Sequence, residues 1–154
     1  MPDASIDSKQ IINVLADFFM ACPLMKDGAF NIDYLGSEPI QYAIEILTCD
    51  PLIKKYVDGS GVYRYQFAFT SREYCNQQRA RAIENSAFYE KFYDWVESLN
   101  KKDDTGASQL PDLSVCNKLS SKSIHCLSNG YAFEGTTSNA RYQIQVELQY
   151  FKEV

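Results

Sequence analysis

The stretch that decides the fold is RYQIQVELQYF, residues 141–151. Apolar or aromatic side chains alternate there with polar ones at every second position. Because successive side chains of a β-strand point to opposite faces of the sheet, the alternation predicts a long strand with one buried and one polar face. The polar face carries five large side chains in a row: Arg141, Gln143, Gln145, Glu147 and Gln149.

The same alternation occurs at residues 63–70, where four aromatic side chains share one face. Just before it, Asp58-Gly-Ser-Gly61 is typical of a hairpin loop and predicts a partner strand at 52–57. Two further strands are expected at 40–46 and at about 122–128, the second followed by a turn at Asn129-Gly130. The aromatic face of the central strand is Tyr63, Tyr65, Phe67 and Phe69, and its other face is Arg64, Gln66, Ala68 and Thr70.

Two other segments have the helical period. In the first, apolar residues recur from Ile11 to Cys22 and the pattern ends at Pro23. The second covers residues 75–100 as one helix or as two pieces broken near Asn85-Ser86, whereas residues 23–39 are predicted to be a loop. This order predicts an α+β fold: an antiparallel or mixed sheet of about four to five strands with helices packed on one face. We expect one core formed by Phe18, Tyr65, Phe67, Phe69, Phe88, Phe92, Trp95, Ile144, Val146 and Leu148.

Length and charge limit the classes of function. A chain of 154 residues favours a single domain, 1–154. The net charge of −5 and pI of about 4.9, with scattered basic residues, argue against a nucleic-acid-binding surface. The five cysteines lack a Cys-x-x-Cys pair, and the sequence has neither a signal-peptide pattern nor a long apolar run. We therefore expect reduced thiols in a cytoplasm and no membrane partner.

Catalytic chemistry has little support in the sequence. His125 is the only histidine, and its neighbour Cys126 should point to the opposite face of a strand. The cysteines and this histidine do not have the paired spacing of a zinc site. We expect no catalytic residues, no metal and no cofactor, and hence a protein that is not an enzyme.

Two surfaces remain open to interpretation. The polar face of residues 141–149 is equally consistent with a solvated surface and with an interface where amides pair across subunits. The polar segment 101–112 is long for a loop of a compact domain, and we expect residues 101–110 to be mobile until they contact a partner.

Several short motifs resemble, in the same order, a prophage-encoded family of tail terminator (tail completion, or minor capsid) proteins. Together they cover most of the chain from residue 31 onward. The motifs are NIDYLG at 31–36, YAIE at 42–45, DPLIKKYVDG at 50–59, FAFTSRE at 67–73, IENSAFYE at 83–90 with Trp95, NGYAF at 129–133, and ARYQIQ at 140–145 with Tyr150.

The resemblance implies a structural protein of the virion. Tail terminators form a ring, usually of six subunits, that stops growth of the tail tube and presents a surface to the head connector. It therefore implies three partners: further copies of this chain, the tail tube protein and a head-completion protein. DNA would pass through the ring without specific recognition. The implied location is the head–tail junction of the virion, after assembly in the bacterial cytoplasm.

The contacts of such a ring are predicted from the polar strand faces and from the hairpin tip. Two alternatives from other classes are a small intracellular enzyme or ligand-binding domain and, less favoured, a nucleic-acid-binding sheet. A cavity around His125 or a cysteine would favour the first alternative, and a basic patch around Arg64 and Arg141 the second. The candidate interface residues are Asp58, Ser60, Arg64, Gln66, Arg141, Gln143, Gln145 and Glu147.

Overall fold

The computed structural model describes residues 10–24, 29–32, 41–74, 79–116, 118–135 and 139–154. Two helices and seven strands lie in these ranges, and the predicted α+β class is confirmed. In chain order they are α1 (Ile11–Met20), β1 (Ala29–Ile32), β2 (Gln41–Ile46), β3 (Leu52–Lys55), β4 (Gly61–Tyr74), α2 (Arg79–Ser98), β5 (Leu119–Cys126), β6 (Tyr131–Gly135) and β7 (Asn139–Lys152).

The sheet is built around β4 and β7, the two strands with the clearest alternation. They pair antiparallel over 14 residues each, from Gly61 opposite Lys152 to Tyr74 opposite Asn139. β2 and β3 both pair with the outer side of β4, whereas β5 and β6 both pair with the outer side of β7. β1 adds to β2 in parallel, so the sheet is mixed, in agreement with the prediction.

The sheet has more strands than the four to five that we predicted. β1 lies inside the segment expected to be a loop, so the loop prediction is wrong at residues 29–32; residues 25–28 and 33–39 lie outside the described ranges. β6 was also missed, because its five residues are too short to show a period. The helix at residues 79–98 is continuous through Asn85-Ser86, since two residues of moderate helix propensity do not by themselves break a helix.

Both helices pack against the same face of the sheet. Phe19 of α1 contacts the ring of Phe67 at 5.6 Å, and Phe92 of α2 stacks on Phe69 at 4.4 Å between centroids. The helices also meet each other through Phe18 and Trp95, whose centroids are 5.7 Å apart. The predicted core is confirmed: its members lie in one cluster, with Phe18, Tyr65 and Trp95 only partly buried at its margin.

The opposite face of the sheet carries the polar side chains. Strand register places Gln66 of β4 opposite Glu147 of β7, and Arg64 opposite Gln149. Neither described helix packs on this face. The sequence pattern therefore assigns the two faces of the central strands correctly.

Candidate interaction surfaces

One half of the polar face is organised around Glu147. This carboxylate accepts hydrogen bonds from the side-chain amides of Gln66 (2.9 Å) and Gln149 (2.8 Å), one on each oxygen. Arg64 lies 3.8 Å from it. The residue is buried, with 8% of its surface exposed. Three of the predicted interface residues thus come together, but Glu147 is largely occupied by its own neighbours.

The pKa of Glu147 is lower than that of an ordinary glutamate. Burial by itself would raise the pKa, but the hydrogen bonds from Gln149 and Gln66, with the positive charge of Arg64, outweigh it. A carboxyl whose pKa is depressed on folding stabilises the protein above the unfolded pKa, and this stabilisation is lost as the pH falls through the folded value. Glu147 therefore makes the folded state acid-sensitive.

Replacing this carboxylate tests that linkage. We expect Glu147→Gln to be less stable than the wild type at neutral pH, because the charge that holds Gln66, Gln149 and Arg64 is lost. The difference should shrink once the pH falls below the ordinary carboxyl value of 4.5 and through the lower folded pKa. Urea midpoints measured for both proteins from neutral pH down to about pH 3 check this. A difference that stays constant over that range would contradict the assignment.

The other half of the polar face has two further side-chain links. Arg141 is ion-paired with Glu45 of β2 at 2.5 Å, and Gln143 donates to the hydroxyl of Tyr131 at 2.5 Å. Gln145 lies between these links and Glu147, and only its backbone N–H and C=O have partners, in Ser128 and Leu127. Its half-buried side-chain amide makes no hydrogen bond to the described part of the chain. Gln145 is therefore the predicted interface residue most available to another molecule.

The hairpin tip is held by local hydrogen bonds. The side chain of Asp58 accepts hydrogen bonds from the backbone N–H (2.9 Å) and the hydroxyl (2.6 Å) of Ser60, which lower its pKa. Gly59 has a φ of +97°, which glycine adopts without steric cost. Ser60 is buried. Asp58 and Ser60 thus shape the tip, and the hairpin also exposes several apolar side chains.

His125 has a partner that the sequence did not indicate. Its Nδ1 lies 3.0 Å from Oε1 of Glu97 on α2, and about half of its side chain is exposed. The other oxygen of Glu97 accepts the backbone N–H of Cys126 at 2.8 Å. Burial and the negative charge of Glu97 raise the pKa of Cys126 to about 12, so this thiol is protonated at neutral pH. Histidine and thiol are not joined as base and nucleophile.

Asn100, just beyond α2, also forms hydrogen bonds to the backbone of β5, as Glu97 does. It accepts the N–H of Ile124 at 2.8 Å and donates to the C=O of Ile124 at 2.7 Å. Together, Asn100 and Glu97 occupy three outward-pointing backbone groups of β5: the N–H and C=O of Ile124 and the N–H of Cys126. This edge of the sheet is therefore closed to another strand at Ile124–Cys126.

Two properties of the described residues concern metal ions and membranes. No three His, Cys, Asp or Glu side chains in the described ranges are placed to hold a metal ion. Within the same ranges, neither helix has the length and apolar character required to cross a membrane.

Comparison with known proteins identifies no family. No family model matches the chain, and no curated protein matches it. One solved structure, known only by a sequence identifier, is similar over 92% of this chain and 89% of its own, with 12% identity and a TM-score of 0.39. A likeness at this level carries no argument about function.

Proposed function

We propose that this protein is a tail terminator subunit of a tailed bacteriophage or prophage, with a structural and not a catalytic role. The observation that carries the proposal is the ordered series of motifs from residue 31 to Tyr150 that resembles this family. In the proposed role, copies of the chain close into a ring, most simply of six, on the last layer of the tail tube. The ring ends tube growth and offers a surface to the head-completion protein.

The asymmetry of the sheet supports head-to-tail assembly. A closed ring needs two different and complementary patches on each subunit. Here one edge of the sheet at β5 is closed by Asn100 and Glu97, whereas β3 on the opposite side of the sheet pairs with β4 alone among the described strands. Two edges with different properties are compatible with head-to-tail contact between copies.

The charge of the chain is compatible with passage of DNA. Each subunit has a net charge of −5, so six subunits sum to −30. A negative ring gains nothing from release of counterions on DNA and should not hold DNA tightly. The proposed ring therefore lets DNA pass without specific recognition.

The decisive experiment mixes the purified protein with preformed tail tubes and tube protein, followed by electron microscopy of the tube ends. We expect rings at the ends and no further growth. Gln145→Glu, which adds a charge to the polar face, should reduce capping, whereas Met20→Glu adds the same charge at an exposed position of α1 and should not. Bare ends with continued growth in the presence of the wild-type protein would overturn the proposal.

A further inference from the structure

The exposed apolar side chains are concentrated at one corner of the molecule. Among the described residues, ten large apolar side chains are exposed, and four of them lie within the six residues 52–57 of the β3–β4 hairpin. Val154 adds a fifth, because it packs beside Gly59 at the tip. We call this group the corner patch: Leu52, Ile53, Tyr56, Val57 and Val154. Apolar groups gathered in one place indicate an interaction site more strongly than scattered ones.

The corner patch also carries positive charge and an open strand edge. Lys54 and Lys55 are both exposed, and the ammonium of Lys54 lies 5.1 Å from the ring centre of Tyr56. The N–H of Tyr56 bonds inward to Ser60 at 2.8 Å. Because backbone groups alternate sides along a strand, those of Lys55 point outward. Asp58, which is also exposed, lies beyond the lysines at the tip. The lysine side of the patch therefore suits a partner that is both apolar and acidic.

A groove that combines aromatic and acidic side chains lies toward the opposite edge of the sheet. It has a volume of about 590 Å³ and is lined by Tyr89, Glu90, Tyr93 and Asp94 of α2 together with Asn129 and Gly130. Glu90 and Asp94 are exposed, as is Tyr93. Leu127, another exposed apolar residue, lies two positions before Asn129. The groove thus combines two carboxylates with an aromatic ring.

The floor of the groove is rigid. Tyr89 is buried, its hydroxyl is 2.6 Å from that of Ser71, and its ring stacks on Tyr142 at 5.8 Å. Gly130 lies so close to it that an added Cβ would be 2.4 Å from Cβ of Tyr89. The absence of a side chain at residue 130 is therefore needed for this packing. A preformed groove of this kind binds a partner without a large ordering cost.

The two surfaces lie on opposite edges of the sheet. β3 flanks β4, whereas the turn at residues 127–130 joins β5 to β6, the strands that flank β7. Corner patch and groove are thus separated by the two central strands and cannot meet within one copy. They can meet between copies arranged head to tail, which is the relation that builds a ring.

We propose that the corner patch of one copy binds in the Tyr89–Gly130 groove of a second copy. Lys54 lies against Glu90 and Asp94, and Tyr56, which shares a face of the hairpin with Lys54, packs on Tyr93. This inference rests on the proposed ring, for which it specifies the contact between subunits. In the proposed contact, opposite charges provide specificity and apolar packing provides affinity.

Charge reversal on each surface tests the contact. Variant one carries Lys54→Glu and Lys55→Glu, and variant two carries Glu90→Lys and Asp94→Lys. Each alone should associate at least about tenfold more weakly than the wild type, because like charges then face each other. A chain with all four changes should recover association. Lys101→Glu with Lys102→Glu, two adjacent exposed lysines outside both surfaces, is the matched control and should leave association unchanged.

Self-association is measured by sedimentation of concentrated free protein and by carbodiimide cross-linking, both free and on tail tubes. Cross-linked peptides joining Lys54 or Lys55 to Glu90 or Asp94 of another copy are expected. Circular dichroism confirms that each variant is folded. The proposed contact is wrong if the wild-type protein neither associates nor forms these cross-links, whether free or on tail tubes. It is also wrong if the chain with all four changes does not recover association.

The outcomes separate this contact from the function. If wild-type and reversed variants all cap tubes equally, the ring stands and the contact is wrong. If the cross-links form and respond to charge reversal while tubes remain uncapped, the contact stands and the terminator function is wrong.

Discussion

Truncation of Phe92 to alanine should lower the free energy of unfolding by about 3–5 kcal/mol, the largest loss that we expect from a single change. Phe92 is fully buried and contacts five other aromatic rings. Its ring stacks on Phe69 at 4.4 Å and thereby joins α2 to the central strand. Removal of the Phe92 ring leaves a cavity between α2 and the sheet. Because other side chains hold both elements in place, they cannot easily move together to fill this cavity. Its other ring partners are Phe19, Phe88, Tyr89 and Trp95.

Urea denaturation followed by circular dichroism measures this loss. Tyr93→Ala is the matched control, because it truncates an aromatic side chain on the next residue of the same helix at an exposed position. We expect the control to change stability by less than about 1 kcal/mol. Equal losses for the two variants would show that the core is not centred on Phe92.

The central strands of this fold are predictable because the alternation of polar and apolar residues continues over a long stretch of each. β4 and β7 each alternate over eight or more residues, and the choice of buried face made from the sequence agrees with the burial of Phe67, Phe69, Ile144 and Val146. A shift of one residue in such strands would place every aromatic side chain on the polar face. Burial energy therefore fixes their register strongly enough to be read from the sequence.

The short strands could not be predicted in the same way. β1 has four residues and β6 has five, too few to distinguish a strand from a loop. β1 forms because its backbone pairs with β2, with Ala29 opposite Gln41. The four residues of β1 do not by themselves encode this pairing. Non-local backbone pairing, and not local propensity, places both strands.

The candidate surface was predictable only in part. The polar alternation correctly brought Arg64, Gln66 and Glu147 together, but it could not show that Glu147 is buried by its own partners. The sequence predicted a strand at residues 52–57 but did not indicate which of its side chains are buried. All four residues of β3 are exposed.

The least predictable feature is the covering of the β5 edge by two polar side chains. Asn100 and Glu97 lie at the end of α2, yet they bond to Ile124 and Cys126, 24 and 29 positions further along the chain. No pattern in the sequence connects these residues. Since unpaired strand edges are templates for unwanted association, side chains that occupy such an edge protect the monomer. In a ring-forming protein this protection would restrict contacts to the intended surfaces.

Asn100→Ala should therefore both destabilise the protein and make it associate through β5. The variant loses the two hydrogen bonds to Ile124, and leaving backbone groups without partners costs about 1–3 kcal/mol. The loss should lie at the lower end of this range, because Asn100 is exposed and water can reach the freed groups. The exposed edge should then pair with other copies as concentration rises.

Two further variants separate the causes. Asn100→Asp keeps the oxygen that accepts the N–H of Ile124 but loses the donor to its C=O, so it should show an intermediate loss of stability. Lys101→Ala changes the next, exposed residue and should behave as the wild type. Urea midpoints report stability, and light scattering over a concentration series reports association. If Asn100→Ala remains monomeric wherever Lys101→Ala does, the side chain holds the end of α2 to β5 but does not guard the edge.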